Sequence, residues 1–239
     1  MECFFELPFR IDSHDCGMDD LLKPSGCLRY LQETANIQCA RAGFGYDDCL
    51  ARGSAFVLSR VSLDILEPVH AYDEVIVRTC PAESRGVSFN RGTSMYKNGR
   101  EVLRLNSVWA LLRLRDRALV RVEDAGLTLP VMPLHETAAP LKFHIPRDAE
   151  LRQIGSFTVR PSVCDRNRHM NNTRYADLFS DLLPPDSRLT GLSISYRSEA
   201  PLGETLTLFS GDAPDGVYLF RALKSDGSVC CEAKITINA

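Results

Sequence analysis

Residues 165–183 read DRNRHMNNTRYADLFSDLL, a polar run that leads into a stretch with the apolar spacing of a helix. Asp165, Asn167 and His169 alternate along the run, so an extended backbone would project all three side chains to one side. Together they offer a proton acceptor, a neutral hydrogen-bonding group and an imidazole that titrates near neutrality. The pattern indicates an active site.

The same run also has a purely structural interpretation. Polar residues before a helix often satisfy backbone groups, and Asn171 or Asn172 is a typical N-cap for the helix that follows. Asp and Asn side chains form such local hydrogen bonds readily. The rest of the chain decides between the two interpretations.

The helix after the run has a counterpart in the first half of the chain, and both end at a residue that stops helices. In the second half, one face carries Tyr175, Leu178, Phe179 and Leu182, and Pro184 and Pro185 follow. In the first half, residues 25–43 read SGCLRYLQETANIQCARAG, with Leu28, Leu31, Ala35 and Cys39 near helical spacing and Gly43 as the stop. The chain therefore repeats one plan.

Strands with alternating apolar residues flank each helix, and each half ends in a hairpin. The turns are Asn98-Gly99 in the first half and Asp226-Gly227 in the second, which are strong hairpin signals between alternating segments. Each half also has an acidic residue at or just before a proline, at Glu67-Pro68 and at Glu199-Ala200-Pro201. Two matched plans predict two α+β units, each an antiparallel sheet wrapped around one long central helix.

The predicted domains are residues 1–122 and 151–239, joined by a linker over 123–150. Four prolines in or beside this linker predict an extended segment on the surface: Pro130, Pro133, Pro140 and Pro146. Edge-to-edge pairing of the two sheets would cover an otherwise open edge and create a groove at their junction.

Composition excludes several classes of function. Twenty-eight basic residues against 31 acidic ones give a net charge of −3, without the excess of positive charge typical of nucleic-acid binding. No stretch is long and apolar enough to span a membrane, and the start has no secretory pattern, which predicts a cytoplasmic protein. The nine cysteines are irregularly spaced, lack a CxxC pair and are expected to be mostly small buried hydrophobes.

The whole chain resembles the acyl-acyl carrier protein (acyl-ACP) thioesterases of bacteria and plants, which are built as a tandem "double hotdog". The segment DRNRHMNNTRY resembles the family's Asp, Asn-x-His-x-Asn-Asn and Tyr signature, and ISYRSEA resembles its Tyr-Arg-x-Glu element. In the first half, RYLQETA, LSRVSLDI and NGREVLRLNSVWALLRLRDR resemble the family's helix and strands.

The resemblance implies hydrolysis of the thioester of a fatty acyl chain on acyl carrier protein, which releases free fatty acid and ends chain elongation. The family's functional positions map to Asp165, Asn167, His169 and Glu199, and no metal or organic cofactor is expected. Many plant members have Cys after the matching Glu, whereas this chain has Ala200, so a thiol nucleophile is excluded there.

Two chemical routes fit these residues. In one, Glu199 and His169 activate water while Asp165 holds the network and Asn167 fixes the thioester or the water. Backbone N–H groups near Asn171 and Asn172 would then receive the oxyanion. In the other, Asp165 attacks directly through a transient anhydride, and the sequence leaves both routes open.

The first half has no matching DxNxH run, which predicts one catalytic half and one half that binds the acyl chain. Glu67 is the expected counterpart of Glu199, and His14 and Asp15 are the nearest echo of the catalytic run.

Basic residues near the catalytic run are expected to steer the acidic carrier protein. These are Arg166, Arg168 and Arg174, and a second run is formed by Arg113, Arg115, Arg117 and Arg121. An acyl-coenzyme A (acyl-CoA) thioesterase and a non-catalytic fatty-acyl-binding protein are the alternatives. Acyl chain length and oligomeric state, including a homodimer, stay open.

Overall fold

The computed structural model describes residues 4–146 and 149–238, which divide into two units. The first unit comprises the chain up to Ser59 together with Ile65–Thr137, and the second comprises Arg60–Asp64 and the chain from Ala138 onward. The split falls inside one strand, so that strand contributes residues to both units.

The elements follow the repeated plan of the sequence. The first half contains β1 (Phe5–Arg10), α1 (Pro24–Arg41), α2 (Tyr46–Ala51), β2 (Ser54–Ile65), β3 (Glu74–Arg85), β4 (Ser88–Lys97), β5 (Arg100–Arg113) and β6 (Leu119–Val120). The second half contains β7 (Arg152–Thr158), α3 (Arg174–Ser180), β8 (Arg188–Tyr196), β9 (Thr205–Ala213), β10 (Val217–Leu223) and β11 (Val229–Asn238). Short 3-10 turns lie at Ser13–Asp15, Val122–Asp124 and Pro161–Val163.

The strands of each half pair in a sheet, as the repeated plan predicts. In the first unit the order is β1-β3-β4-β5-β2, with β6 paired to β5, and in the second unit residues of β2 begin the order β2-β8-β11-β10-β9-β7. Within the second unit, Arg60–Asp64 of β2 pair antiparallel with β8, with Val61 opposite Ile194 and Leu63 opposite Leu192. All four of these apolar side chains are buried, so this pairing lies in the core.

The predicted helix of the first half is confirmed. Pro24 occupies the first turn, where a missing N–H costs nothing, and Gly43 follows the helix with φ +75°. The helix buries Leu28, Leu31 and Ala35, as its apolar spacing predicted.

The helix of the second half is much shorter than predicted, at seven residues. It begins only at Arg174, because Asn171 and Thr173 form a separate turn ahead of it. After Ser180 the chain continues in tighter turns, in which Leu182 N–H donates to the Phe179 carbonyl. The prediction of a long central helix is therefore wrong for this half.

Both predicted hairpins are present, but their turns differ. Asn98 and Gly99 both have positive φ, at 50° and 76°, as a two-residue hairpin turn requires. In the second hairpin only Gly227 is left-handed, and Gly227 N–H donates to the Lys224 carbonyl. A register shift between Ala222 and Leu223 accompanies this longer loop.

Between Ala125 and Leu151 the described residues of the linker form no helix or strand, and polar side chains attach the segment to the sheet. In the second unit, the Asp64 carboxylate accepts the N–H groups of Ala138 at 2.7 Å and Ala139 at 2.9 Å. Ser62 Oγ donates to the Ala139 carbonyl at 2.6 Å. Asp64, Ser62 and Ala139 are all buried, so this part of the segment belongs to the core rather than to the surface.

In the first unit the same segment is held through His135. Its backbone exchanges two hydrogen bonds with the Asn106 side chain, at 2.8 and 3.0 Å, and its Nε2 lies 3.2 Å from Ser94 Oγ. Burial lowers the pKa of the His135 imidazole, and the Arg104 guanidinium acts in the same direction against the Glu101 carboxylate. The ring is therefore held neutral near physiological pH.

None of the eight described cysteines is part of a disulfide; five of them are buried and three are half-buried. This fits the expectation of small hydrophobes for the buried ones, while Cys3 lies outside the described residues. Among the described residues, no helix has the length and apolar character needed to cross a membrane.

We predict that His135 makes the stability of the protein sensitive to mild acid. Below about pH 6.5 the unfolded chain binds a proton that the buried ring does not, so stability is lost as the pH falls toward the lowered pKa. The free energy of unfolding, measured by urea titration at a series of pH values, should therefore fall more steeply for the wild type than for His135→Gln.

The matched control for this experiment is His144→Gln, which changes an exposed imidazole. It should keep the acid sensitivity of the wild type. Parallel curves for the wild type and His135→Gln would contradict the prediction.

Candidate active site

The catalytic run predicted from sequence is a closed turn in the structure. Asp165 N–H donates to the His169 carbonyl at 2.9 Å, and Arg168 N–H donates back to the Asp165 carbonyl at 3.1 Å. Arg168 has φ +63°, which reverses the chain direction. The predicted extended backbone with three side chains on one side is therefore wrong.

The Asp165 carboxylate organises this turn. Its Oδ1 accepts the backbone N–H of Asn167 at 2.9 Å and that of His169 at 3.3 Å. An acidic side chain at the start of a turn readily accepts hydrogen bonds from the backbone N–H groups of the residues that follow it. The capping interpretation thus describes Asp165 correctly, and it places the same carboxylate at the centre of the candidate site.

Backbone pairing brings Glu199 to this turn from 30 residues later in the chain. Met170 N–H donates to the Ala200 carbonyl and Leu202 N–H to the Arg168 carbonyl, both at 2.9 Å. His169 also forms an isolated bridge with Pro201. Glu199 Oε2 consequently lies 3.7 Å from His169 Nδ1, with the two side chains 41% and 31% exposed.

At this distance the Glu199 carboxylate faces Nδ1 of the His169 ring. Such an arrangement can orient an imidazole so that its Nε2 is directed away from the carboxylate. Both side chains keep contact with solvent, so water can reach them. Asn167 is exposed on the same turn.

A thiol nucleophile was considered at two positions beside the site, 164 and 200, and the structure supports neither. Cys164 Sγ contacts the Arg160 carbonyl at 3.3 Å on the far side of the turn, and Ala200 is completely buried. The structure thus agrees with chemistry carried by carboxylate and imidazole groups.

The start of the second helix differs from the prediction. Asn171 is not the N-cap of α3 but closes the turn before it, where its Oδ1 accepts both the N–H and the Oγ–H of Thr173. Asn171 N–H itself donates to the Val163 carbonyl. Neither of these N–H groups is available for the oxyanion expected near Asn171.

Two tyrosine hydroxyls contact residues around the site, from the buried Tyr175 and the half-buried Tyr196. Tyr196 Oη donates to the Asn172 carbonyl at 2.8 Å, and Tyr175 Oη lies 3.3 Å from Cys230 Sγ. Burial raises the pKa of both phenols, so both stay protonated. A hydroxyl in an otherwise apolar strand pattern is the signal that could have identified Tyr196.

The first half contains the same turn with different residues. Cys16 and Leu22 form the bridge that Cys164 and Met170 form in the second half, and Asp20 has φ +62° where Arg168 has +63°. Counting along the two turns places Leu21 at the position of His169. The first turn therefore lacks the imidazole.

His14 and Asp15, the first-half residues expected to resemble the catalytic run, do not lie in the closed turn of that half. His14 and Asp15 fall in the 3-10 turn ahead of the closed turn, and the Asp15 carboxylate pairs with Arg29 and with the Tyr30 hydroxyl. Gly17 stands at the position of Asp165, and the carboxylate of Asp19 caps the turn in its place.

Glu67 is not the counterpart of Glu199. In the first half Leu22 N–H donates to the Val69 carbonyl, as Met170 N–H donates to Ala200 in the second. This register places Pro68, not Glu67, at the position of Glu199. The prediction for Glu67 is wrong by one residue. The backbone pairing aligns the two halves of the chain at this place, and that pairing cannot be seen in the sequence.

The arginines predicted to dock a carrier lie on or beside the turn. Arg166 and Arg168 are exposed, and Arg174 is half-exposed with Asp177 at 3.9 Å. In the second basic run, Arg113 and Arg121 are paired with Asp116 and Glu123, which neutralises part of that run. Arg166 and Arg168 therefore present their side chains at the surface of the turn.

No group of three or more His, Cys, Asp or Glu side chains within residues 4–146 and 149–238 is placed to hold a metal ion.

Comparisons with known proteins identify relatives of both halves of the chain. A family model described as the acyl-ACP thioesterase N-terminal domain matches residues 2–128, and one described as the C-terminal domain matches residues 147–238. A chloroplastic acyl-[acyl-carrier-protein] hydrolase of Cuphea viscosissima is 24% identical over 216 residues, covering 82% of this chain and 52% of that protein. The chain spans about half the length of the curated relatives it matches.

Solved structures share the fold along the whole chain. An acyl-ACP thioesterase from Bacteroides thetaiotaomicron aligns with a TM-score of 0.88 at 19% identity, covering 98% of each chain. The 12:0-ACP thioesterase from Umbellularia californica aligns with a TM-score of 0.82 at 18% identity, covering 100% of this chain and 98% of that one. These similarities confirm the predicted double hotdog fold.

The two family models occur in the order that the duplicated plan predicts, and together they match most of the sequence. The chain belongs to the acyl-ACP thioesterase family.

Proposed function

We propose that this protein hydrolyses the thioester between a fatty acyl chain and the phosphopantetheine arm of acyl carrier protein, which releases free fatty acid and ends chain elongation. The observation that carries this proposal is the His169–Glu199 pair, 3.7 Å apart, on a turn organised by the Asp165 carboxylate. Family membership supports the same chemistry.

In the proposed mechanism, water attacks the thioester carbonyl carbon while the His169–Glu199 pair accepts its proton. The tetrahedral intermediate then collapses, the C–S bond breaks, and the same proton is returned to the departing thiolate. Asn167, on the exposed side of the turn, holds the carbonyl or the water. Each proton taken from water is accounted for in the acid and thiol products.

Asp165 is proposed to position the other groups rather than to attack the thioester. Its Oδ1 accepts two backbone N–H groups, and hydrogen bonds to a carboxylate reduce its nucleophilicity. Loss of the carboxylate would release the turn that carries Asn167 and His169. This geometry favours direct attack by water over an Asp165 anhydride.

The two halves are proposed to have different roles, acyl-chain binding in the first and catalysis in the second. Leu21 and Pro68 occupy the positions of His169 and Glu199 in the first half, so that half has neither the imidazole nor the carboxylate. We assign it to acyl-chain binding, with catalysis in residues 151–239. Cytoplasmic location and a homodimer stay predictions.

We predict that replacing Glu199 with Gln, His169 with Asn or Asp165 with Asn lowers kcat by about two orders of magnitude or more, the contribution typical of general acid–base groups. Thiol release from purified acyl-ACP measures the rate. The matched control is Glu67→Gln, which changes a carboxylate in the first half, one residue away from the position equivalent to Glu199, and should keep the wild-type rate.

Two results would contradict this assignment. Full activity in a well-folded Glu199→Gln or Asp165→Asn protein would remove those residues from the mechanism. Appearance of oxygen from labelled water in Asp165, rather than in the fatty acid, after a single turnover would favour the anhydride route.

The two alternatives are an acyl-CoA thioesterase and a non-catalytic acyl-binding protein. Comparing the rates of thiol release from acyl-ACP and from acyl-CoA distinguishes them from the proposed function. Exposed Arg166 and its neighbours predict electrostatic attraction to an acidic protein, which weakens as ionic strength rises. The kcat/KM for acyl-ACP should exceed that for acyl-CoA of the same chain and fall with added salt. Arg166→Glu should lower kcat/KM for acyl-ACP several-fold.

The control for this charge reversal is Arg85→Glu, because Arg85 is an exposed arginine of the first half, far along the sequence from the turn. It should leave the acyl-ACP rate unchanged. A preference for acyl-CoA would support the first alternative, and absence of thiol release from either carrier would support the second.

A further inference from the structure

A buried arginine without a counterion lies in the first unit. Arg91, on β4, is 7% exposed and is directed toward α1. Its Nη1 donates to Gln38 Oε1 and to Thr79 Oγ1, and its Nη2 contacts Cys39 Sγ at 3.5 Å. All of these partners are neutral groups.

Within residues 4–146 and 149–238, no carboxylate pairs with Arg91. Burying a guanidinium without an anion is costly, because neutral acceptors replace only part of its hydration. Burial accordingly lowers the pKa of Arg91, and this effect is opposed by the sulfurs of Cys39 and Cys80 and not by a carboxylate. In the second unit, by contrast, the Arg221 guanidinium lies 2.9 Å from the buried Glu232 carboxylate, so that arginine has a counterion.

A second donor in the same layer also lacks an acceptor. Gln32 of α1 is 9% exposed, and its Nε2 is buried without a hydrogen-bond partner. Gln32 precedes Cys39 by seven residues, which places both on one face of the helix, about 10 Å apart along its axis. That face is the one that meets the sheet, because Leu28 and Ala35 on it are buried.

The two units differ in how their buried charges are balanced. In the second unit Phe179 of α3 stacks on Phe220 of β10 with ring centroids 5.3 Å apart, and the buried Glu232 carboxylate pairs with Arg197 and Arg221. In the first unit the hydroxyls of Thr79 and Thr93 lie 2.8 Å from each other, and Thr79 accepts a hydrogen bond from Arg91. A buried guanidinium with neutral partners is therefore a feature of the first unit.

We infer that the layer between α1 and the strands of the first unit binds an acyl chain that carries an oxygen function, with a terminal carboxylate as the best match. This rests on the proposed function, in which the first half takes the acyl chain. Arg91 and the Gln32 amide supply the donors, and a carboxylate supplies both the missing acceptor and the missing negative charge. An unsubstituted alkyl chain would satisfy neither group.

Arg91 lies close to residues that reach solvent near the end of α1. Ile37, Gln38 and Cys39 are only half-buried, and the Arg91 guanidinium contacts the side chains of Gln38 and Cys39. The inference requires an acyl chain to enter the layer at this end of the helix.

The test measures binding to carrier protein loaded through an uncleavable amide link with plain, ω-hydroxy or ω-carboxy acyl chains of matched length. Calorimetry on the full chain should show the ω-carboxy form binding about tenfold or more tightly than the plain form, the effect of one charged hydrogen-bonded contact. The ω-hydroxy form should fall between them. Arg91→Met should abolish the preference, and Gln32→Leu should reduce it.

Arg104→Met is the matched control, because Arg104 is a partly exposed arginine of the first unit that pairs with Glu101 and should leave the preference intact. If Arg91→Met does not fold, Arg91→Lys keeps the charge without the planar fork and should weaken the preference. Equal or tighter binding of plain chains at every length would overturn the inference, as would an unchanged preference in the Arg91 variants.

Failure of this inference can be distinguished from failure of the proposed function. Hydrolysis of plain acyl-ACP without any oxygen preference overturns the inference alone. Arg91-dependent binding of ω-carboxy chains without cleavage of any thioester overturns the proposed hydrolysis alone.

Discussion

The candidate site depends on one constraint, which is that the backbone must satisfy its hydrogen bonds while it leaves a 3-10 turn and enters a helix. The Asp165 carboxylate meets this constraint by accepting two N–H groups of the turn. The turn is then fastened to residues 200–202 by backbone bonds, which hold Glu199 beside His169. The same carboxylate thus serves the fold and the proposed chemistry, so the capping and catalytic interpretations are not rivals.

The duplicated turn shows how one backbone can support two roles. Both copies have the same bridges and a left-handed residue at the same place, at Asp20 and Arg168. In the first copy Leu21 and Pro68 replace the reactive pair, and Asp19 supplies the cap. Because the backbone bonds are retained, the first copy remains a stable hotdog after the loss of its reactive side chains.

Buried polar groups distinguish the interiors of the two halves. Glu232 of the second half is matched by Arg197 and Arg221, and Asp64 is matched by two backbone N–H groups, so these buried charges have partners. Arg91 has only neutral partners. One buried polar atom lacks a hydrogen-bond partner in each half, Gln32 Nε2 in the first and Asn172 Oδ1 in the second. The buried charge of Arg91 is therefore the observation that supports binding of an oxygen-bearing acyl chain in the first half.

The sequence by itself determined the duplicated plan, the hairpin at Asn98-Gly99, the helix ending before Gly43 and the identity of the residues in the catalytic run. These features depend on local chemistry, such as apolar periodicity and the left-handed conformations that Asn and Gly accept. The resemblance of two sequence motifs to those of the family was sufficient to predict that Glu199 and His169 belong to one site.

Only the tertiary structure decided the shape of the catalytic turn, the short length of α3 and the match of Pro68 rather than Glu67 to Glu199. Each of these depends on hydrogen bonds between residues distant in sequence, and a shift of one residue in strand register is invisible in an apolar pattern. The uncompensated burial of Arg91 also emerged only there, because charge pairing in a core is set by which strands and helices meet.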